Sequence, residues 1–272
     1  MKKGILLVAV ILLSTVGFAQ AQDELTGTID VTYLSAYIWR GFDLNQGAHG
    51  EGVIQPSIDL DLYGTGFGLN VFWSRANTGN VNTGTSGTSG SLENLEELDL
   101  TLSYNGSLFD YETYATDYSV GWMYYDYPDN PKKALNAQEM FVSIAWPEIC
   151  AEGAVPSYTL IRMWAAESGS IVNDLSGWLH VFGVGYDVPV EGMLPDIPEQ
   201  ILHFSVAAVY NEGCGAAGVD HDWSHAVFGV STDFDLGNDL TLSPGVYYQS
   251  SWESTVNPSD ETWCSLSVKY AF

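Results

Sequence analysis

Trp263-Cys264-Ser265-Leu266-Ser267-Val268-Lys269-Tyr270-Ala271-Phe272 closes the chain. Cys264, Leu266, Val268, Tyr270 and Phe272 share one parity; Ser265, Ser267, Lys269 and Ala271 share the other. Side chains of a strand alternate faces with a period of two, so this segment reads as a strand with one apolar face and one small or charged face. Chain ends are usually frayed and polar. An aromatic at the last position of an apolar face instead predicts a terminus held inside a sheet.

The opposite end is consistent with export. Lys2 and Lys3 precede an apolar run from Ile5 to Phe18, followed by Ala19-Gln20-Ala21. A charged start, an apolar middle and a small-x-small site predict a signal peptide over residues 1–21 and a mature chain over 22–272. The apolar run is shorter than the roughly 18 residues of a spanning helix. Beyond it no comparable run occurs, so any membrane crossing must use strands.

Aromatic residues make up 13% of the chain and charged residues 15%, against roughly 25% charged in soluble domains. After the leader the bases are Arg40, Arg75, Lys132, Lys133, Arg162 and Lys269, set against 34 acids. That balance excludes a general nucleic-acid surface. It fits a cation-rich setting, such as a divalent-bridged lipopolysaccharide leaflet or a cation-conducting lumen.

From Thr28 onward the chain falls into alternating segments separated by turn residues. The first expected strand runs from Thr28 to Arg40, with Ile29, Val31, Tyr33, Tyr37 and Trp39 on one face and Asp30, Thr32 and Arg40 on the other. In the second, Val53 to Tyr63, Ile54, Ile58, Leu60 and Leu62 alternate with Gln55, Ser57, Asp59 and Asp61. Phe67–Arg75 and Glu96–Tyr104 follow, the latter ending at Asn105-Gly106, a hairpin-turn signal. Further strands are expected at 111–125, 138–146, 157–165, 178–188, 202–210, 226–236, 240–248 and 263–272. About twelve strands of about nine to fifteen residues result, long enough for tilted crossings of a bilayer, where nine to eleven suffice; strands of soluble sheets average about five or six.

Counted alternately, the turns at Gly64, Asn105 and Gly237 fall on one side. The Gly/Thr/Ser/Asn-rich segment Asn77–Ser91 and the connections at 126–137, 211–223 and 252–260 fall on the other. Short periplasmic turns and long outer loops are the signature of a closed antiparallel transmembrane β-barrel. A soluble two-sheet domain is the alternative, but aromatics concentrated near strand ends favour interfacial girdles.

Tyr33-Leu34-Ser35-Ala36-Tyr37-Ile38-Trp39-Arg40-Gly41-Phe42 resembles the opening motif of the TorF-type outer-membrane porins, a Ser-x-Tyr-(Val/Ile)-aromatic-Arg-Gly segment after the first strand. Ile54-Gln55-Pro56-Ser57-Ile58-Asp59, Gly66-Phe67 and Phe72-Trp73-Ser74 continue the likeness over about the first quarter of the chain; Asn77–Ser91 has no counterpart in it. The terminal strand likewise resembles those of outer-membrane barrels, where the aromatic end, here Tyr270 and Phe272, is the signal for the barrel-assembly machinery. The resemblance implies residence in the outer membrane of a Gram-negative-type bacterium, among its lipid and lipopolysaccharide, and porin-like passage of solutes.

Candidate lumen residues follow from parity. Asp30, Asp59, Asp61, Asp187, Asp233 and Asp235 fall on the polar face in the periplasmic half of their strands, and Glu97 and Asp99 sit higher. Arg40, Arg75 and Arg162 are expected as lumen bases in the outer half; the facing of Arg162 is ambiguous, since apolar residues flank it on both sides. Inward carboxylates draw cations and reject anions. Asp220, His221 and Asp222, in Asp220-His221-Asp222-Trp223-Ser224-His225, mark an expected outer loop where a divalent ion or hydrolytic water could be held. His49, His180 and His203 read as bystanders; His180 faces outward without the Ser or Asn a rim lipase would need. Of Cys150, Cys214 and Cys264, topology allows only a Cys214–Cys264 bridge, and three free thiols are the other reading.

The resulting expectation is a non-enzymatic, cofactor-free channel for passive diffusion of small cationic or neutral solutes. A non-conducting structural or adhesion barrel is the alternative, followed by a rim-located hydrolase. Pore radius, solute and oligomeric state stay open.

Overall fold

The computed structural model describes residues 24–44, 52–76, 96–128, 136–150, 152–167, 176–192, 199–215, 219 and 221–272. The leader expected over residues 1–21, the Asn77–Ser91 segment, Lys132, Lys133, His49 and Asp220 lie outside them.

Twelve antiparallel strands form the wall: β1 (Thr26–Leu34), β2 (Val53–Asp61), β3 (Phe67–Ala76), β4 (Glu96–Leu108), β5 (Thr116–Asp126), β6 (Ala137–Ala145), β7 (Ala154–Ala165), β8 (Gly177–Glu191), β9 (Glu199–Glu212), β10 (His221–Thr232, continued by Phe234–Gly237), β11 (Leu240–Ser251) and β12 (Glu261–Ala271). Each pairs with its sequence neighbours, and β1 pairs with β12 through Ile29↔Tyr270, Val31↔Val268 and Tyr33↔Leu266. Closure removes the free edges that would otherwise expose unpaired backbone groups. The terminal residue takes part: Gly27 N donates to Phe272 O (2.9 Å) and Phe272 N to Gly27 O (3.0 Å).

The alternation expected from sequence sets the two faces. Val31, Ile58, Leu102, Phe182, Phe228 and Leu266 form an outward apolar band, each more than 40% exposed to the surroundings. Their strand neighbours turn into the lumen. Among the described residues, a buried apolar cluster of Tyr125, Ile161, Met163, Leu179 and Val209 fills the upper, long-loop end of the cylinder.

Three local expectations are corrected. The first wall strand ends at Leu34 rather than Arg40; the chain then turns inward and forms a two-stranded hairpin, Ile38–Trp39 paired with Phe42–Asp43, inside the barrel. Asn105-Gly106 is not a turn: both residues stay in β4, opposite Ser119 and Tyr118 of β5, and Asn105 N donates to Gly66 O. Unpairing them would strand backbone groups, so the chain reverses over 109–115 instead, with Phe109 and Tyr111 at positive φ. His221 to His225 belong to β10, not to a loop, because Glu212, Asn211, Tyr210 and Val209 of β9 pair with them around a bulge.

Candidate functional site

The inward hairpin dominates the upper lumen. Arg40 (φ 53°) and Gly41 (φ 92°) occupy its tip, the left-handed backbone of two-residue hairpin turns. Position 41 requires glycine for a second reason: a Cβ there would lie 2.6 Å from His225 Nδ1 and 2.8 Å from Val256 Cγ1. Gln249 Nε2 donates to Gly41 O (2.8 Å), tying the tip to β11. On the opposite side Arg40 Nη2 donates to both carboxylate oxygens of Glu139 at 2.8 and 2.7 Å, and Tyr125 Oη donates to Glu139 Oε2 at 2.8 Å. Trp39 meets the Tyr125 ring edge-on at 5.8 Å. The hairpin therefore reaches from β5 and β6 across to β10 and β11. Burial pushes the Arg40 pKa down, but Tyr125 and Glu139 outweigh it, so the guanidinium is held more firmly charged than usual.

Beside this pair lie Glu97 and Asp99, inward as expected but covered by the hairpin base. Tyr37 Oη donates to Glu97 Oε2 (3.1 Å) and Tyr127 Oη to Glu97 Oε1 (3.3 Å). Burial, then the Glu97 charge, holds both phenols well above their usual pKa, so both stay protonated and donate to Glu97. Asp99 Oδ1 has no hydrogen-bond partner among the described residues. Neither carboxylate is open to a solute in transit.

The lower lumen is open and acidic. Asp30 accepts from Thr32 Oγ1 (2.6 Å) and from Ser267 Oγ. Asp59 accepts from Asn70 Nδ2 (2.7 Å). Asp61 and Asp235 cap the turns below them through Gly64 N (2.7 Å) and Gly237 N (2.8 Å). Ser243 Oγ donates to Asp233. His203, read from sequence as a bystander, sits between two of the expected acids: Nδ1 lies 2.8 Å from Asp187 Oδ1 and Nε2 3.8 Å from Asp233 Oδ2. Lys269 also faces this lumen, opposite Asp30.

Two expected lumen bases are corrected. Arg75 shares the outward parity of Trp73 and lies 3.4 Å from Glu96 on the outer surface of the upper rim. Arg162 is paired between the outward Met140 and Trp178, with its Cζ 5.4 Å from the Trp178 ring centroid. At a rim a guanidinium can face outward because its stem lies on apolar wall while its head reaches water. Of the three arginines, Arg40 alone is inside.

The Asp-His cluster does not assemble into a site. Asp222 Oδ1 accepts from its neighbour Trp223 N (2.7 Å), His221 is exposed, and His225 points inward at Gly41. Among the described residues no three His, Cys, Asp or Glu side chains converge as metal ligands. His180 has partners that sequence did not reveal, since Tyr158 Oη lies 2.7 Å from Nδ1 and Glu212 Oε1 3.6 Å from Nε2 on the outer face.

Cys214 and Cys264 are not bridged. Cys214 is buried inside against Met163 (Sγ–Sδ 3.8 Å), while Cys264 alternates with inward Trp263 and Ser265 and faces out. Burial pushes the Cys214 thiol up to about 11. A water-soluble maleimide at pH 7 should therefore label the exposed Cys150 of the folded, detergent-held barrel rapidly. Cys264 should react slowly under detergent, and Cys214 only after unfolding. Mass spectrometry reads the order; early labelling of Cys214 would mean the upper interior is not sealed.

No family profile and no curated relative matches the chain. Solved structures resemble it in fold. The KdgM porin superposes with a TM-score of 0.52 at 11% identity, covering 90% of this chain and 99% of that one. The NanC porin gives 0.53 at 9% identity, covering 90% and 98%. An outer-membrane channel from Pseudomonas putida F1 gives 0.50 at 13% identity, covering 94% and 100%. The fold is the closed antiparallel barrel that these outer-membrane proteins share. At such identities the likeness concerns architecture, and the lumen has to be read from its own residues.

The inward residues that sequence reading passed over are Glu139, Tyr125, His203, Tyr247 and Trp263. Parity was the available signal for all of them but His203. Glu139 alternates with outward Met140, and Trp263 with outward Cys264.

Proposed function

We propose that this protein is a porin-like channel of a Gram-negative-type outer membrane, passing small cationic or neutral solutes by diffusion. The hairpin narrows the path at the outer end, and carboxylates line its periplasmic half. The observation that carries the reading is that Asp30, Asp59, Asp187, Asp233 and Asp235 all face the lower lumen while Arg75 and Arg162 stand outside it. Fixed carboxylates in a narrow aqueous path raise the local cation concentration. The TorF-like segment is itself the narrowing device, since Tyr37 to Phe42 build the hairpin. The strongly acidic chain suits a divalent-bridged lipopolysaccharide leaflet, and its aromatic terminal strand suits delivery by the barrel-assembly machinery.

Reversal potentials in a KCl gradient across planar bilayers test this. The native channel should prefer cations. Asp59, Asp187, Asp233 and Asp235 together changed to Asn should bring the cation/anion ratio severalfold closer to unity, with the larger shift at low salt, where the Debye length exceeds roughly 10 Å. Unchanged selectivity would remove these residues from the mechanism. The filled upper lumen supports a second reading, a barrel without a conducting path, which complete absence of current would favour.

A further inference from the structure

The lumen just below the hairpin tip holds a feature that charge does not explain. Tyr247 of β11 and Trp263 of β12 sit opposite one another, both half-buried, with ring centroids 5.5 Å apart and planes within 17°. The Tyr247 ring lies along the wall rather than standing into the lumen. Its bed is glycine: a Cβ at Gly229 would meet Tyr247 Cδ1 at 2.8 Å, and one at Gly245 would meet Tyr247 Cε2 at 2.9 Å. Any larger residue at either position would push the ring off the wall. The stacked pair borders a cavity of about 540 Å³, whose other walls carry Thr32, Ser231, Ser243, Ser265, Ser267 and Gln249. Such a volume lies within the range of small-molecule sites.

From this arrangement we propose that Tyr247 and Trp263 form a stacking platform for neutral sugars in transit, a deepening that rests on the channel reading above. A pyranose offers a flat C–H face, which suits an aromatic plane, and a rim of hydroxyls. Thr32, Ser243 and Ser267 donate to Asp30 and Asp233 and Gln249 Nε2 donates to Gly41 O, so these groups present acceptor oxygens to sugar hydroxyls, while the hydroxyls of Ser231 and Ser265 can donate or accept. Bridging water would extend their reach. The competing ligand for an aromatic face is an organic cation. Charge does not favour it here, because among the described residues lining this cavity Asp233 is the one acid and two bases, Lys269 and Arg40, line it as well. A divalent ion would need several oxygen ligands around one point, and the acids do not converge.

Maltotriose added to single channels of the mature protein in planar bilayers provides the test. The expected result is a saturable partial block of current in the millimolar range. Trp263→Ala and Tyr247→Ser should weaken it roughly fivefold to tenfold, the scale of one lost stacking contact, while Trp263→Phe should retain most of it. A polyethylene glycol of equal mass and choline chloride serve as controls. Current insensitive to maltotriose, or equally sensitive to the glycol, would overturn the platform while leaving the channel reading intact. Block by choline but not by maltotriose would overturn it in favour of a cation site. If no current flows, the channel reading fails. The platform is then decided by maltotriose quenching of tryptophan fluorescence in detergent: quenching missing in Trp263→Phe supports it, and no quenching in the native protein ends it.

Discussion

Replacing Arg40 by alanine should raise single-channel conductance severalfold. The hairpin that crosses the upper lumen is anchored at its tip by the contact between Arg40 and both oxygens of Glu139, with Glu139 only 2% exposed. Removing Arg40 leaves Glu139 without its counter-charge and with the Tyr125 hydroxyl still donating to it; breaking a buried pair in this way typically costs roughly 3–5 kcal/mol. The remaining ties at the tip are the Trp39 packing and one hydrogen bond from Gln249 to Gly41, each smaller than that penalty, while the hydrogen bond from Tyr37 to Glu97 holds only the base. The wall does not share the loss, because the backbone ladders of its twelve strands run from strand to strand and none joins the hairpin, which is a separate two-stranded sheet. The variant should therefore stay folded, with an unchanged heat-modifiable band on gels, while the hairpin leaves its seat and the path widens. Adding Glu139→Gln should recover part of the native conductance, since it removes the uncompensated carboxylate. Native conductance in Arg40→Ala would show that the ion pair does not hold the hairpin. An unfolded variant would show that the wall depends on it.

Much of this architecture was legible in the sequence because the wall obeys one rule throughout. Ile54, Ile58 and Leu60 against Gln55, Ser57 and Asp59 face out and in as their parity demands, and the inward carboxylates Asp30, Asp59, Asp187 and Asp233 were found in this way. The hairpin was not legible, because its alternation continues that of β1. Tyr37 and Trp39 keep the parity of Ile29, Val31 and Tyr33, and an apolar residue reads the same whether it meets lipid or packs inside the lumen. The errors at Arg75 and Arg162 have the opposite origin. Arg75 shares its parity with outward Trp73, whereas apolar residues flank Arg162 on both faces, and in each case the charge reads as a sign of a wet lumen. Position along the strand decides the matter, since both stand at the upper rim, where snorkelling is available. His203 needed more than parity. Asp187 and Asp233 flank it from β8 and β10, and only the register of three strands brings them together.

Removing Tyr270, Ala271 and Phe272 should abolish the folded barrel, the largest effect expected of any short deletion. These residues carry the lower end of the closing seam: Tyr270 pairs with Ile29 and Leu240, Ala271 N donates to Asp239 O, and Phe272 exchanges two backbone hydrogen bonds with Gly27. Without them, the start of β1 loses its partner on one side and the end of β11 loses its partner on the other. In hydrocarbon each unpaired backbone group costs several kcal/mol, with no water to replace the missing partner. Several such groups together exceed the roughly 5–15 kcal/mol that keeps a domain folded. The deletion should therefore yield a protein without heat-modifiable mobility, absent from the outer-membrane fraction. Phe272→Ser separates the seam from the proposed assembly signal, because it keeps every backbone hydrogen bond and removes only the outward aromatic stacked near Tyr270. That variant should refold in detergent like the native protein yet accumulate severalfold less in the outer membrane of cells, with periplasmic material in its place. Equal accumulation would mean that Phe272 acts through closure alone and that the assembly machinery reads some other part of the chain.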